Sequence, residues 1–467
     1  MASPGAKRVR RVIAFALVAM LAATCGATLP DQTRPEWTSP GLVGGGGWPF
    51  AYQPMDADEA AGARYLRDSS VVRLRDGRVR LIPMGGQLPV TVDPGDPRVA
   101  AAVRGDRGWL ASGRVPGDGT VYRDMAVRAL LDLRLLTRPN GATTASWYRQ
   151  WRYVWPRDAA FAVAAFAVSG HPEEARRVLR FLARVQAGNG LWAARYRPDG
   201  SPVIDGRKPQ LDSLGWVLWG AWFFQTADPR AAAELPELWT MVRRAADHLA
   251  GSLDVEGLPP PSPDYFERSP GKEQDPRRPT LGVVGPVLAG LRAAADLARR
   301  TGRPEEARRW RQAGMRVSDA VARTFTPYGY PRSPVPGGLM DTSVTFLAPP
   351  FGPADPGVET AVLTAAARLR LPNGGVLPGE RWSGNKTVAW TPEMALFAMN
   401  AAASGRTEDA LTRLDWLDEH RTSLGALPEK VDERGRPAAV APLGWTASVV
   451  LLTLTALERR LPIPPTG

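Results

Sequence analysis

The 467-residue sequence predicts a mainly α-helical protein: an (α/α)6 toroid of six helical hairpins, preceded by a small β-containing N-terminal module. Three observations predict this fold. Apolar segments at helical spacing recur about twelve times from Val121 onward, and a short turn motif repeats between some of them. Tight turns also alternate with long linkers, as expected when antiparallel helix pairs close into a ring with the long loops at one end.

The predicted helices span 121–136, 157–169, 172–186, 211–226, 236–251, 280–300, 304–324, 340–348, 357–370, 390–404, 407–420 and 444–459. The repeated turn reads Ser169-Gly-His-Pro-Glu-Glu-Ala175 and then Thr301-Gly-Arg-Pro-Glu-Glu-Ala307, with a weaker copy at Ser404-Gly-Arg-Thr-Glu-Asp-Ala410. In each copy a glycine ends one helix and acidic residues start the next, which makes the two helices antiparallel neighbours.

The N-terminal module is assigned to residues 51–120, and the toroid to 121–461. Residues 69–82 alternate between apolar and polar types around Asp76-Gly77, which predicts a β-hairpin with a tight turn. A further strand is expected at Gln87–Val92, whereas Gly105–Val115 is rich in turn residues and is expected to be irregular.

Residues 1–27 resemble a secretion signal. Basic residues precede an apolar run, Val12–Ala23, that is short for a membrane span. The only cysteine, Cys25, follows at the position of a lipoprotein lipidation site, and the Pro-, Gly- and Thr-rich segment 28–50 predicts a flexible tether. We therefore expect an exported protein, extracellular or held at the cell envelope through Cys25. A cleaved signal and an uncleaved anchor are the alternatives.

The net charge of +12 does not indicate a nucleic-acid partner, because the arginines outside the leader are interleaved with acidic residues. Four of the positive charges lie in the leader, at Lys7, Arg8, Arg10 and Arg11. The histidines have no metal-ligand spacing and are expected at the surface. They are His171, His248 and His420. The sequence also lacks a glycine loop that would cradle phosphates, so no metal or other cofactor is expected.

The stretch Trp147–Asp158 indicates a carbohydrate-type site. Five of its twelve residues are aromatic and three are arginines. Such rings give a sugar a face to stack on, and guanidinium groups give paired hydrogen-bond donors. Pro156 suits a first helical turn and Asp158 the positive end of a helix dipole. The alternative is therefore a capped helix with buried aromatic residues at its start.

Five motifs in the predicted long loops resemble those of glycoside hydrolase family 15, the glucoamylase-like enzymes. They are Arg152-Tyr-Val-Trp-Pro-Arg-Asp158, Lys208-Pro-Gln-Leu-Asp212, Pro263-Asp-Tyr-Phe-Glu267, Ser383-Gly-Asn-Lys-Thr-Val-Ala-Trp390, and Leu427-Pro-Glu429 followed by Pro442-Leu-Gly-Trp445. The resemblance covers about residues 121–461. It implies an inverting, exo-acting glucosidase that releases sugar from the non-reducing end of an oligo- or polysaccharide.

The resemblance also implies individual roles: Glu267 as general acid, Glu429 as general base, and Arg157 with Asp158 as the clasp of the terminal sugar. Cleaving an acetal needs such a pair of carboxyl groups, one to protonate the leaving oxygen and one to activate water. We expect both glutamates across one cleft, with Arg157 and Asp158 on its floor. For each glutamate alone, a solvated loop acid is the alternative.

Further residues of these motifs are candidates for substrate binding: Tyr153, Trp155, Gln210, Asp212, Trp382, Trp390 and Trp445. Gln210 and Asp212 could equally cap the following helix. Trp382 and Trp390 could be core or rim aromatic residues instead of platforms for a ligand.

The chain departs from the family pattern beside each glutamate. Arg268 stands where many relatives have a second Glu, and Lys430 where Gln is usual. Asp205-Gly-Arg replaces an aromatic residue before Lys-Pro-Gln. Arg268 either points away from the site or binds an anionic substituent. These changes leave open a toroid that binds glycans at the envelope without turnover, or an (α/α)6 enzyme for another glycan, such as a lyase or trehalase-type hydrolase.

Overall fold

The computed structural model describes residues 62–82, 89–147, 151–227 and 236–466. The leader with Cys25, the tether 28–50 and residues 51–61 of the N-terminal module lie outside the described residues, so those assignments stay predictions.

The described chain begins with a four-stranded antiparallel sheet. Its strands pair in sequence order: β1 Arg64–Tyr65, β2 Val72–Arg73, β3 Val79–Leu81 and β4 Val90–Val92. The predicted hairpin is confirmed, because β2 pairs with β3 around a turn in which Gly77 has a φ of 89°. Strand β4 confirms the end of the strand expected at Gln87–Val92, whose first two residues lie outside the described residues.

The expectation that Gly105–Val115 is irregular is wrong, because most of it belongs to helix α1, Pro97–Ser112. Asp96 caps this helix by accepting a hydrogen bond from the Arg98 amide, and Pro97 occupies its first turn. Val99 packs into the small apolar cluster under the sheet. These contacts outweigh the cost of two exposed glycines within the helix, about 1 kcal/mol each.

The twelve predicted helical segments are all present in the described chain, eleven of them as α-helices. They are α2 Arg123–Leu136, α3 Pro156–Val168, α4 Pro172–Val185, α5 Leu211–Ala227, α6 Pro236–Ser252, α7 Leu281–Arg300, α8 Pro304–Thr324, α9 Pro356–Arg368, α10 Thr391–Ala403, α11 Thr407–Glu419 and α12 Gly444–Glu458. The segment predicted at 340–348 is a 3₁₀ helix, Thr342–Leu347. Two further 3₁₀ turns lie at Pro270–Lys272 and Thr326–Tyr328.

Six segments form an inner ring. Helices α3, α5 and α7, the 3₁₀ helix, α10 and α12 pack side by side in that order, and α12 returns to α3. Inner helices such as α3 are buried on all sides, whereas α4 and α8 bury one face as outer helices do. Helix α7 is long and apolar enough to cross a membrane, but 94% of its apolar window is buried in the fold. The predicted (α/α)6 toroid is confirmed.

The repeated turn has the predicted form. Its glycines, Gly170, Gly302 and Gly405, adopt left-handed conformations with φ of 73°, 72° and 80°, which glycine does at little cost.

One histidine beside these turns is not at the surface, where it was expected. His171 is buried and stacks on Trp109 of α1 with ring centroids 3.8 Å apart, and burial lowers its pKa to about 4. No pattern near His171 indicated that α1 would cover this turn.

The long linkers predicted from the sequence precede inner helices. Those predicted at 137–156, 252–279 and 421–443 lie between helices of the structure at 137–155 before α3, 253–280 before α7 and 420–443 before α12. Their ends therefore meet where the inner helices begin, and most of the predicted site motifs lie in them.

Candidate active site

A cavity of about 250 Å³ lies where the inner helices begin. Eight of the predicted site residues contribute to its wall: Trp155, Arg157, Asp158, Glu267, Trp382, Trp390, Glu429 and Trp445. The two glutamates are 429 − 267 = 162 residues apart in the chain. Ring closure brings them to one cavity, together with the Arg-Asp pair, as the sequence predicted.

Arg157 and Asp158 occupy the first turn of α3, directly after Pro156. The Arg157 Nε donates a hydrogen bond of 3.0 Å to Asp158, and the guanidinium lies 4.8 Å above the Trp445 ring. Both residues are less than a tenth exposed, and burial raises the pKa of Asp158. A buried guanidinium group beside an aromatic ring can form paired hydrogen bonds to the hydroxyl groups of a sugar.

Three candidates do not reach the cavity wall: Tyr153, Gln210 and Asp212. Asp212 is fully buried behind Arg157, with 3.8 Å between its Oδ2 and an Arg157 terminal nitrogen. Burial raises the pKa of Asp212 to about 7, and Arg157 opposes the shift. Asp212 therefore contacts Arg157 without being part of the cavity wall.

Glu267 lies on a tight turn that Asp264 organises. The Asp264 carbonyl accepts a hydrogen bond of 2.7 Å from the Glu267 amide, and its side chain accepts one of 2.9 Å from the Phe266 amide. Glu267 has a φ of 53°, in the left-handed region that non-glycine residues adopt only at a cost of ~1–3 kcal/mol. Such strain persists where the surroundings impose it, and it is frequent at functional sites.

A buried ion cluster imposes this turn. Arg332 binds three carboxylates: Asp264 at 2.9 Å, Glu273 at 2.9 Å and Asp341 at 2.7 Å. Its guanidinium also lies 4.1 Å from the centre of the Phe266 ring. One arginine thus fixes both the residue that forms the turn and the residue next to Glu267.

The Glu267 carboxyl has two partners. The Trp155 indole donates a hydrogen bond to its Oε1, and Arg207 forms an ion pair with its Oε2. Arg268 is not part of the cavity wall, and it donates hydrogen bonds of 3.1 Å to the Arg381 carbonyl and to Ser383, on either side of Trp382. The alternative that Arg268 binds an anionic substituent stays a prediction.

Glu429 directly precedes strand β6, Lys430–Val431, which pairs with β5, Ala389–Trp390, and β7, Pro437–Ala438. Its backbone is held on both sides, by Val440 and by Thr391. The Trp151 indole donates a 3.1 Å hydrogen bond to one carboxyl oxygen, and the Lys430 ammonium lies 3.5 Å from the other. Burial raises the pKa of Glu429, and Lys430 opposes that shift.

The two candidate tryptophans of the fourth motif contact each other. Trp382 and Trp390 meet edge to face with ring centroids 4.9 Å apart, and both belong to the cavity wall. Lys430 Nζ lies 4.1 Å above the Trp390 ring. The Lys430 ammonium therefore occupies one face of the Trp390 ring.

Sequence reasoning missed several wall residues, among them Glu393, Arg195 and Arg207. Glu393 is 3% exposed, and its Oε2 has no hydrogen-bond partner among the residues that the structure describes. Burial raises the pKa of Glu393 to about 8, so the carboxyl is mostly protonated at neutral pH. Glu393 lies in the first turn after Trp390, where an acidic residue favours the start of a helix. This ordinary pattern does not indicate a site residue.

Several buried polar atoms of the cavity wall have no hydrogen-bond partner among the described residues. They include an Arg157 terminal nitrogen, the Trp445 indole nitrogen and Glu393 Oε2. A buried polar atom left unpaired costs about 1–3 kcal/mol. A ligand rich in hydroxyl groups would satisfy several of them at once, because each hydroxyl both donates and accepts.

Known proteins resemble this chain in sequence and in fold. An uncharacterized glycosyl hydrolase of Methanocaldococcus jannaschii is 23% identical over 353 residues, 70% of this chain and 54% of that protein. Isomaltose glucohydrolase of Kribbella flavida is 26% identical over 317 residues, 62% of this chain and 77% of the relative. A bacterial glucoamylase solved with acarbose aligns at 16% identity and a TM-score of 0.63, covering 81% of this chain and 64% of its own. No protein-family model matches the chain.

This chain has the glucoamylase fold. The resemblance predicted from the motifs is confirmed, since its relatives in sequence are glycoside hydrolases and its fold is that of the glucoamylases. The chain spans about half the length of the Methanocaldococcus relative.

Proposed function

We propose that this glucoamylase-like chain is a glycoside hydrolase that removes a terminal glucosyl unit from an oligo- or polysaccharide. One observation carries the proposal: two glutamates from separate loops share the wall of one small cavity with a buried Arg157–Asp158 pair. The volume of about 250 Å³ lies just below the ~300–1,000 Å³ of typical ligand pockets, which favours a chain end over the middle of a polymer.

The proposed reaction inverts the configuration at the anomeric carbon. Glu267 gives its proton to the glycosidic oxygen as the bond to the anomeric carbon breaks. Glu429 takes a proton from a water molecule, whose oxygen forms the new bond at that carbon. The buried Glu429 is suited to the second step, since burial raises its pKa toward neutrality, where a general base works best.

A substrate panel tests the proposal. Purified protein is incubated with maltose, isomaltose, trehalose and longer glucans, and proton NMR follows the anomer first released. Isomaltose leads the panel because a relative is an isomaltose glucohydrolase, and acarbose is the first inhibitor to add because it was bound in the related structure. With the longer glucans the released terminal unit is the only free glucose, and we expect it to be β-glucose at first. Early α-glucose from these glucans would contradict inversion, and no product from any panel member would contradict hydrolysis of glucosides.

A second candidate function is glycan binding without turnover. Its motivating observation is that each catalytic carboxyl is paired with a cation, Arg207 on Glu267 and Lys430 on Glu429. Calorimetric binding of panel sugars without any product would favour this function.

We also propose that the protein is exported and held at the cell envelope by lipidation at Cys25, as the leader sequence suggests. In the native host, Cys25→Ala should release the protein from the membrane fraction or block its processing. Retention of the variant at full length would instead indicate an uncleaved anchor. Release of the parent protein itself in soluble form would indicate a cleaved signal.

A further inference from the structure

Arg207 is an unexpected neighbour for a general acid. It forms an ion pair with Glu267 and also lies 3.4 Å from Asp205. Asp205 in turn binds the buried Arg195, which is part of the same cavity wall. Arg195 and Arg207 therefore share Asp205. The second carboxylate that balances the charge of Arg207 is that of Glu267, the proposed acid.

Arg207 lies toward the mouth of the cavity. The side chains of Arg157, Asp158 and Glu429 are 6–9% exposed, which places them at the deep end. Glu267 is 24% exposed and Arg207 36% exposed. Since the proposed function places the terminal sugar on Arg157 and Asp158, the leaving group extends past Glu267 toward Arg207.

The charge balance changes when Glu267 acts as an acid. A general acid must be protonated before it gives its proton to the leaving oxygen. A protonated Glu267 no longer neutralises Arg207, which then depends on the aspartate it shares with Arg195. Arg207 is 36% exposed, so water screens part of its charge, but it then lacks a carboxylate of its own. A substrate that brings its own anion would take the place of the carboxylate.

We propose that the natural substrate carries an anionic group, a carboxylate or a phosphate, on its leaving group, and that Arg207 binds it. The guanidinium fork matches both groups in a bidentate manner. Binding of the anion draws Arg207 from Glu267 and leaves the acid free to hold its proton. The inference rests on the proposed glucosidase activity and adds the chemical class of the leaving group.

Matched aryl α-glucosides test this inference. The 4-carboxyphenyl and 4-phosphonophenyl glucosides carry an anion, and the 4-carbamoylphenyl glucoside is a neutral analogue of similar size. We expect kcat/KM to be about 10- to 100-fold higher for at least one anionic substrate, mostly through KM, as a charge-assisted bidentate contact would give. Added salt should reduce the preference. The two anionic arms show whether carboxylate or phosphate is preferred.

Arg207→Gln should abolish the preference, and Arg268→Gln should keep it. Arg268 is the matched control because it stands next to Glu267 in sequence but is not part of the cavity wall and binds the Arg381 carbonyl and Ser383. Equal kcat/KM for the anionic and neutral glucosides in the parent would overturn the inference, as would a preference that survives Arg207→Gln. In both cases the glucosidase proposal stands. If the protein hydrolyses none of the three glucosides, the result instead contradicts the proposed function.

Discussion

The surroundings of Glu267 and Glu429 differ in exposure, in backbone support and in charge pairing. Glu267 lies at the mouth of the cavity on a strained turn, where its carboxyl meets an indole and Arg207. Glu429 is buried at the start of a strand, with its backbone bonded on both sides. Under the proposed function, the leaving group passes Glu267 and the attacking water is held by the deeper Glu429. Environment, more than residue type, separates an acid from a base.

The largest expected effect comes from removing the proposed base. Glu429→Gln keeps the shape of the side chain but cannot accept a proton, so kcat should fall by about 10²–10⁴-fold while sugar binding survives. Steady-state kinetics and calorimetric titration with glucose measure the two quantities. Glu433→Gln is the control, because Glu433 is exposed in the turn of the same hairpin. A Glu429→Gln variant as fast as the parent would remove Glu429 from the mechanism.

The second prediction separates the two glutamates by leaving group. Glu267→Gln should lower kcat/KM for a disaccharide by about 10²–10⁴-fold, because the sugar oxygen needs a proton to depart. With α-glucosyl fluoride, which leaves without general-acid help, the loss should be much smaller. Glu429→Gln should be slow on both substrates, since each still needs an activated water. Equal losses for Glu267→Gln on the two substrates would argue against its role as the acid.

A third prediction concerns the buried ion cluster of Arg332, which holds the turn at Glu267. Arg332→Leu leaves three buried carboxylates without their cation and should lower the free energy of unfolding by about 3–5 kcal/mol. Urea denaturation measures this loss. The control is Arg277→Leu: Arg277 is almost fully exposed beside Asp275 and should change stability by about 1 kcal/mol or less. Similar values for the two variants would show that the cluster does not hold the turn.

The smallest effect is expected at Glu393, the carboxyl that sequence reasoning missed. Its pKa is about 8 in the folded protein against an ordinary value of 4.5. Above pH 4.5 the unfolded chain loses this proton while the fold keeps it, so the stability that it contributes declines as pH rises from about 4.5 to about 8. Glu429, Arg157 and Lys430 are the charged groups that act on it.

Glu393→Gln cannot ionise and should escape this decline. Between pH 5 and pH 8 the variant should lose about 1–3 kcal/mol less stability than the parent, measured by urea denaturation at both values. Asp212 and Glu429 also have raised pKa values and cause a decline with the same sign in both proteins. Only the difference between parent and variant therefore reports on Glu393. Parallel pH profiles would show that Glu393 ionises normally in the fold.

Local patterns in the sequence were enough to predict the toroid and most of the cavity. Helical periodicity located all twelve segments, and the glycines of the repeated turn marked where helix pairs reverse. These signals are local, because they depend on residues within one or two helical turns. The site motifs, such as the Arg157–Asp158 pair, fall at the starts of inner helices, so a correct ring order was sufficient to bring eight of the candidates to one cavity.

Tertiary structure alone decided which side chains meet. Arg207 reaches Glu267 across 60 residues of chain, whereas the adjacent Arg268 binds the Arg381 carbonyl instead, because the paths of the long loops set those distances. The same holds for Glu393, which looks like a helix cap in sequence and is buried only when the ring closes around it. Burial and charge pairing depend on atoms far apart in the chain. The sequence therefore determined the ring and the composition of its loops, and packing determined the electrostatics of the cavity.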